Sequence, residues 1–107
     1  MEFSEINRRA SEIKEEYKKY ETKVSGEPWN YVEMTQGLVV DVGELMKLIT
    51  IKAGIRKSEG KNVDKDIAHE LSDILWSTLV IANELNVDIE KEFLETMDTL
   101  DANFKKQ

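Results

Sequence analysis

Two short acidic motifs hold the residues best suited to chemistry, Asp41-Val42-Gly43-Glu44 and Glu70-Leu71-Ser72-Asp73. In each, two carboxylates stand three residues apart, so on an α-helix they share one side. Both pairs flank positions that a helix would bury: Val42 and Leu45 in the first, Leu71 and Ile74 in the second. If the two helices pack antiparallel, four carboxylates can converge on one spot. Like charges that close raise one another's pKa values, and a bound cation removes the conflict. A site made only of oxygen ligands suits Mg²⁺ or Mn²⁺. The plain alternative is that these acids dress solvated helix faces. Gly43 lies between the two acids of the first motif. A mid-helix glycine costs about 1 kcal/mol relative to alanine, so its place there implies close approach by a helix or a ligand. Gly37 allows the same reading.

A second carboxylate chemistry is the di-iron bundle, which takes a Glu from each of two helices and a Glu-x-x-His from two more. Asp66-Ile67-Ala68-His69 offers one related pair, but His69 is the only histidine, so only a symmetric dimer could complete such a set. His69 fits better as a partner for Asp73 one turn on, or as an exposed side chain.

Four helical patterns must position these residues. The first runs from about Phe3 to Lys23, with Phe3, Ile6, Ala10, Ile13, Tyr17 and Tyr20 spaced by three or four. After the break Val24-Ser25-Gly26-Glu27-Pro28, a second runs from about Trp29 to Arg56, with Met34, Leu38, Val42, Leu45 and Ile49 on its stripe. Lys57 to Asn62 form the next break. The third pattern, about Val63 to Leu85, is apolar round much of its circumference after Asp73 and reads as the most buried helix. Asn86-Val87-Asp88 turns the chain, with Asp88 a good N-cap for a fourth helix carrying Ile89, Phe93, Met97, Leu100 and Phe104. No alternating strand pattern or internal repeat is present. The expected fold is all-α: one domain over residues 1–107, a four-helix bundle-like subunit whose two long central helices carry the acidic motifs.

Composition narrows the function. A chain of 107 residues supports one domain. A net charge of −7 disfavours a general nucleic-acid binder. With no cysteine, thiolate metal sites and redox chemistry fall away. No stretch approaches the roughly 18 uncharged apolar residues of a membrane span, and the acidic start lacks a signal-peptide core. A cytoplasmic protein is expected. Tyr17, Tyr20, Phe93, Met97 and Phe104 add more bulky apolar surface than one small bundle covers, so a homodimer or homotetramer is expected too.

The two motifs resemble a known signature. Asp41-Val42-Gly43-Glu44-Leu45, a gap of 25 residues after Glu44, and Glu70-Leu71-Ser72-Asp73-Ile74-Leu75-Trp76 are similar to the ExxE…ExxD blocks of MazG-like nucleotide pyrophosphohydrolases. Ala82 to Phe93, with its run Asn86-Val87-Asp88-Ile89-Glu90-Lys91, is similar to that family's third block. The likeness extends from about Met34 to Met97. Asp41 stands where the family usually has Glu, Val40 where a further Glu is common, and Asn86 where a glycine is usual; asparagine tolerates the same left-handed turn. What the resemblance implies is Mg²⁺-dependent hydrolysis of nucleoside or deoxynucleoside triphosphates to monophosphate and pyrophosphate, in service of nucleotide-pool sanitation. It makes Asp41, Glu44, Glu70 and Asp73 metal ligands, with a glutamate, Glu44 or Glu70, orienting the attacking water. The family works as dimers or tetramers.

Further residues are candidates to hold the nucleotide. Lys52 lies eleven residues after Asp41 and Arg56 one turn further, on the same helical phase. From 47 to 65, six basic residues face two acidic ones, Glu59 and Asp64, which suits a polyphosphate or simply a cation-dressed helix end. Trp29 and Trp76 could stack on a base or fill the core. Asn83 could read a base edge or bond to a neighbouring helix. No Gly-x-x-x-x-Gly-Lys-Ser/Thr loop cradles β and γ phosphates and no nucleophile suggests a covalent intermediate, so attack of water on the α phosphorus is expected. The alternatives are a related dUTP/dCTP-type or phosphoribosyl-ATP pyrophosphohydrolase on the same scaffold, or a non-catalytic helical interaction module.

Overall fold

Four helices account for the regular structure in the computed structural model, which describes residues 2–57 and 62–106. They are α1 (Phe3–Ser25), α2 (Tyr31–Lys52), α3 (Val63–Glu84) and α4 (Ile89–Lys105). Their ends follow local chemistry. α1 stops at Gly26, whose φ of +85° only glycine adopts freely and whose N–H donates to Thr22 O at 2.9 Å. Asn30 opens α2 with a capping box: its side chain accepts from the Val32 and Glu33 amides, and Glu33 accepts from the Asn30 amide. Asn62 and Asp88 cap α3 and α4 by accepting from Lys65 N and Lys91 N, each at 3.2 Å. Asn86 takes the left-handed turn conformation, φ 57°, that the sequence led us to expect.

The second helix is shorter than its pattern, which ran from Trp29 to Arg56. Pro28 and Trp29 precede the helix, the cap Asn30 is extended, and Gly54 at φ +79° turns the backbone off the helix axis. The Ile55 and Arg56 amides both fold back onto Thr50 O. Arg56 therefore lies beyond α2 and off the helical face of Asp41, where the periodicity had put it. Glu59 and Lys61, two members of the charged run, lie outside the described residues.

α2 and α3 pack along each other most extensively, and α1 lies against α3. Met34 and Leu48 from α2, Leu79, Val80 and Ala82 from α3, and Ala10 from α1 form the buried apolar core. α3 contributes half of it, more than any other helix, as expected. Polar clasps bind α1 to α3: the Asn7 and Asn83 side chains donate to each other, Asn83 also donates to Ser11, and Trp76 Nε1 donates to Ala10 O.

Two expectations need correction. The innermost residues of α1 include Lys14 and Glu21, while Tyr17 and Tyr20 of the apolar stripe stand largely exposed. The fourth helix does not close a bundle: every residue from Glu90 to Lys106 is exposed, including Phe93, Met97, Leu100 and Phe104. A compact chain of this size has a radius of gyration near 13 Å, whereas here it is 17.1 Å. Amphipathic α4 packs little against the other three helices, and beyond Ile89 its apolar stripe is left exposed among the described residues.

Candidate metal centre

The α2–α3 pairing brings the two acidic motifs together. One oxygen each from Asp41, Glu70 and Asp73 lies within 4.8 Å of the others, all three residues half-buried. Glu70 Oε2 is buried and accepts no hydrogen bond, the one such side-chain atom among the described residues. A buried acceptor without a donor costs about 1–3 kcal/mol, so its presence needs an explanation. Burial first, then the charges of Asp41 and Asp73, hold the Glu70 carboxyl above its ordinary range, with His69 opposing and Glu44 adding. Asp41 is raised likewise, by burial first and then by Asp73. Three carboxylates that repel one another, one of them carrying a sealed oxygen without a donor among the described residues, match the demands of a hard divalent cation.

Glu44 stands beside this triad rather than in it. Its carboxylate is exposed and pairs with Lys47 at 3.5 Å, yet its charge still reaches Asp41 and Glu70. His69 pairs with Asp73 at 3.1 Å, one turn along α3 as expected. Gly43 has open space where its side chain would be, so no helix of this chain approaches it among the described residues. At Gly37 the nearest neighbour is the Trp29 ring, 3.8 Å from where a Cβ would stand.

Asp41 also belongs to the wall of a cavity of about 640 Å³. Tyr17, Tyr20, Trp29 and Trp76 give it four aromatic side chains, and Met34 and Gly37 help close it on the α2 side. Trp76 stacks obliquely on Tyr17 with ring centroids 5.3 Å apart, its indole N–H already committed to α1. Trp29 is held by a buried ion pair: Lys14 Nζ donates to its carbonyl at 3.0 Å, and its amide donates to Glu21 Oε1 at 2.8 Å. Lys14 and Glu21 themselves stand 3.6 Å apart.

Trp29 and Trp76 thus meet beside the acids. The remaining candidates do not. Asn83 is taken up by Asn7 and Ser11 and opens on a separate depression. Lys52 ends α2 in an exposed 2.7 Å ion pair with Asp64, and Arg56 lines another shallow hollow. Sequence reasoning missed Lys14 and Glu21, although their spacing of seven, two helical turns, sets them on one side of α1. Comparison with protein-family models, with curated proteins and with solved structures finds no match for this chain.

Proposed function

We propose that this chain is a MazG-like nucleoside triphosphate pyrophosphohydrolase that uses Mg²⁺, or Mn²⁺, to release pyrophosphate and a nucleoside monophosphate. The observation that carries this is the meeting of carboxylates from both motifs, among them Glu70 with its donorless oxygen, at the edge of an aromatic cavity. Asp41, Glu70 and Asp73 would hold the ion, and Glu44, close enough to feel their charge, would add its own charge from beside them. The ion when bound supplies charge neutralisation for the triphosphate and acidifies water. Glu70 and Glu44 orient the attacking water, and the exposed Glu44 is the freer of the two to accept its proton. Lys52, once parted from Asp64, and Arg56 are the cations for the departing pyrophosphate. The cavity wall of Trp29 and Trp76 receives the base.

The same reading includes a homo-oligomer. The stripe of α4 and Val39, Val42, Met46, Leu71 and Leu75 of α2 and α3 are apolar surfaces left exposed among the described residues. Pairing copies through them would bury both and screen the acids from water. In ¹⁸O-water with Mg²⁺ and a panel of nucleoside triphosphates, label is expected in the monophosphate, because water attacks the α phosphorus. Release of orthophosphate and diphosphate, or no turnover of any nucleotide, would sink the assignment.

A further inference from the structure

The aromatic cavity has a carboxylate in its wall whose partners all lie on one side. Glu21 is only 9% exposed, and a buried carboxylate needs compensation. Its Oε1 receives it, from the Trp29 amide at 2.8 Å and from Lys14 at 3.6 Å. An ionised carboxylate has about four acceptor positions, so these contacts leave capacity unused. Oε2 accepts nothing from the described residues and, unlike Glu70 Oε2, is not sealed away. Since Glu21 lines the cavity, Oε2, without a partner among the described residues, is its oxygen best able to serve a guest.

The rest of the wall defines that guest. Flat aromatic faces from Tyr17, Tyr20, Trp29 and Trp76 favour a planar ring, and about 640 Å³ is ample for a small molecule. Asp41 is shared between this wall and the acidic triad, so a ring in the cavity and phosphates at the triad belong to one ligand. We infer that the cavity is a nucleobase site in which Glu21 selects bases with an exocyclic amino group, cytosine over uracil and adenine over hypoxanthine. This rests on the nucleotide reading above and adds the choice of base. An amino N–H donates a charge-assisted hydrogen bond to Oε2, whereas a carbonyl oxygen at the same ring position sets acceptor against acceptor. Lys14 and the Trp29 backbone hold the carboxylate and the stacking ring in one piece, so neither must be ordered when the base arrives.

Trp29 and Trp76 are the only tryptophans, so their fluorescence reports the cavity directly. The full chain is titrated without metal with CMP and UMP, and with AMP and IMP. Each amino member is expected to bind about tenfold more tightly than its keto partner, or better. Glu21→Gln is expected to cut that ratio below about threefold; should it fail to fold by circular dichroism, Lys14→Met/Glu21→Gln replaces it. Equal affinities within both pairs, or no saturable quenching by any nucleotide, overturn the base site. The two readings fail separately. Selective quenching without hydrolysis of any triphosphate would remove the hydrolase and leave the base site. Hydrolysis of CTP and UTP with equal kcat/KM, alongside equal quenching, would do the reverse.

Discussion

Glu21 lies in the wall of the aromatic cavity and Glu70 in the acidic triad that shares Asp41 with that wall, and their surroundings treat them in opposite ways. Glu21 has a buried lysine and a backbone amide on one oxygen, supplied by the chain itself. Glu70 has two further carboxylates for company, a histidine that is itself paired elsewhere, and an oxygen with no donor at all. Burial and the two carboxylates, against the opposing histidine, push its carboxyl above the ordinary range. Compensation within the chain makes a structural fixture; compensation left open makes a place for something from outside. The same distinction separates the apolar surfaces. Met34 and Val80 find partners inside the chain, while the stripe of α4 does not.

The largest effect should come from uncompensating the fixture. Lys14→Met leaves Glu21 buried beside Trp29 with no cation, and removing one partner of a buried pair costs about 3–5 kcal/mol. For a domain of this size that corresponds to a fall in Tm of upwards of about 10 °C. Lys14→Met/Glu21→Gln keeps an acceptor for the Trp29 amide while removing both charges, and should recover all but about 1 kcal/mol. Thermal unfolding of the two variants by circular dichroism checks this. A single variant within about 1 kcal/mol of the parent would show that the pair is no fixture.

Next in size is the response of the open site to what should fill it. Mg²⁺ or Mn²⁺ at 100 times its Kd should stabilise the chain by about 2.7 kcal/mol, read as a rise in Tm. Glu70→Gln should abolish the rise. Glu44→Gln should reduce it and leave part, because Glu44 acts on the triad through its charge and not as one of its close oxygens. Equal loss in both variants would put Glu44 among the ligands.

The fold was legible where local chemistry decides it. The spacing of Met34, Leu38 and Leu45, the cap at Asp88 and the turn at Asn86 follow from neighbours a few residues away, and the helices formed there. The site was legible in the acids because two pairs at one helical spacing point to one place once α2 meets α3. Three features escaped the sequence reading, one through a local turn and two through distant partners. Arg56 continued the periodicity of α2 but follows Gly54, whose turn overrides it. Lys14 and Glu21 went unnoticed, since nothing nearby in sequence announces that the Trp29 backbone will fold over them. The stripe of α4 is as regular as any other, yet a period identifies an apolar face without naming what covers it.

The smallest effect tests the comparison most closely, because it concerns Glu70 with no metal added. A carboxyl whose folded pKa is raised stabilises the fold fully only below its unfolded value, 4.5 for Glu70, and loses that contribution as pH rises through the folded value. At pH 7 the metal-free chain therefore bears the repulsion of Glu70 against Asp41 and Asp73. Glu70→Gln removes the charge and adds an amide donor that those two carboxylates can accept. It should melt higher than the parent at pH 7 by roughly 1–2 °C, a small gain because the residue is half-exposed. The difference should shrink as the pH is lowered toward 4.5, where Glu70 becomes protonated. Excess Mg²⁺ at pH 7 should reverse the order, since only the parent binds it. A variant that melts below the parent at pH 7 without metal would mean that Glu70 already has a stabilising partner, and the contrast with Glu21 would be gone.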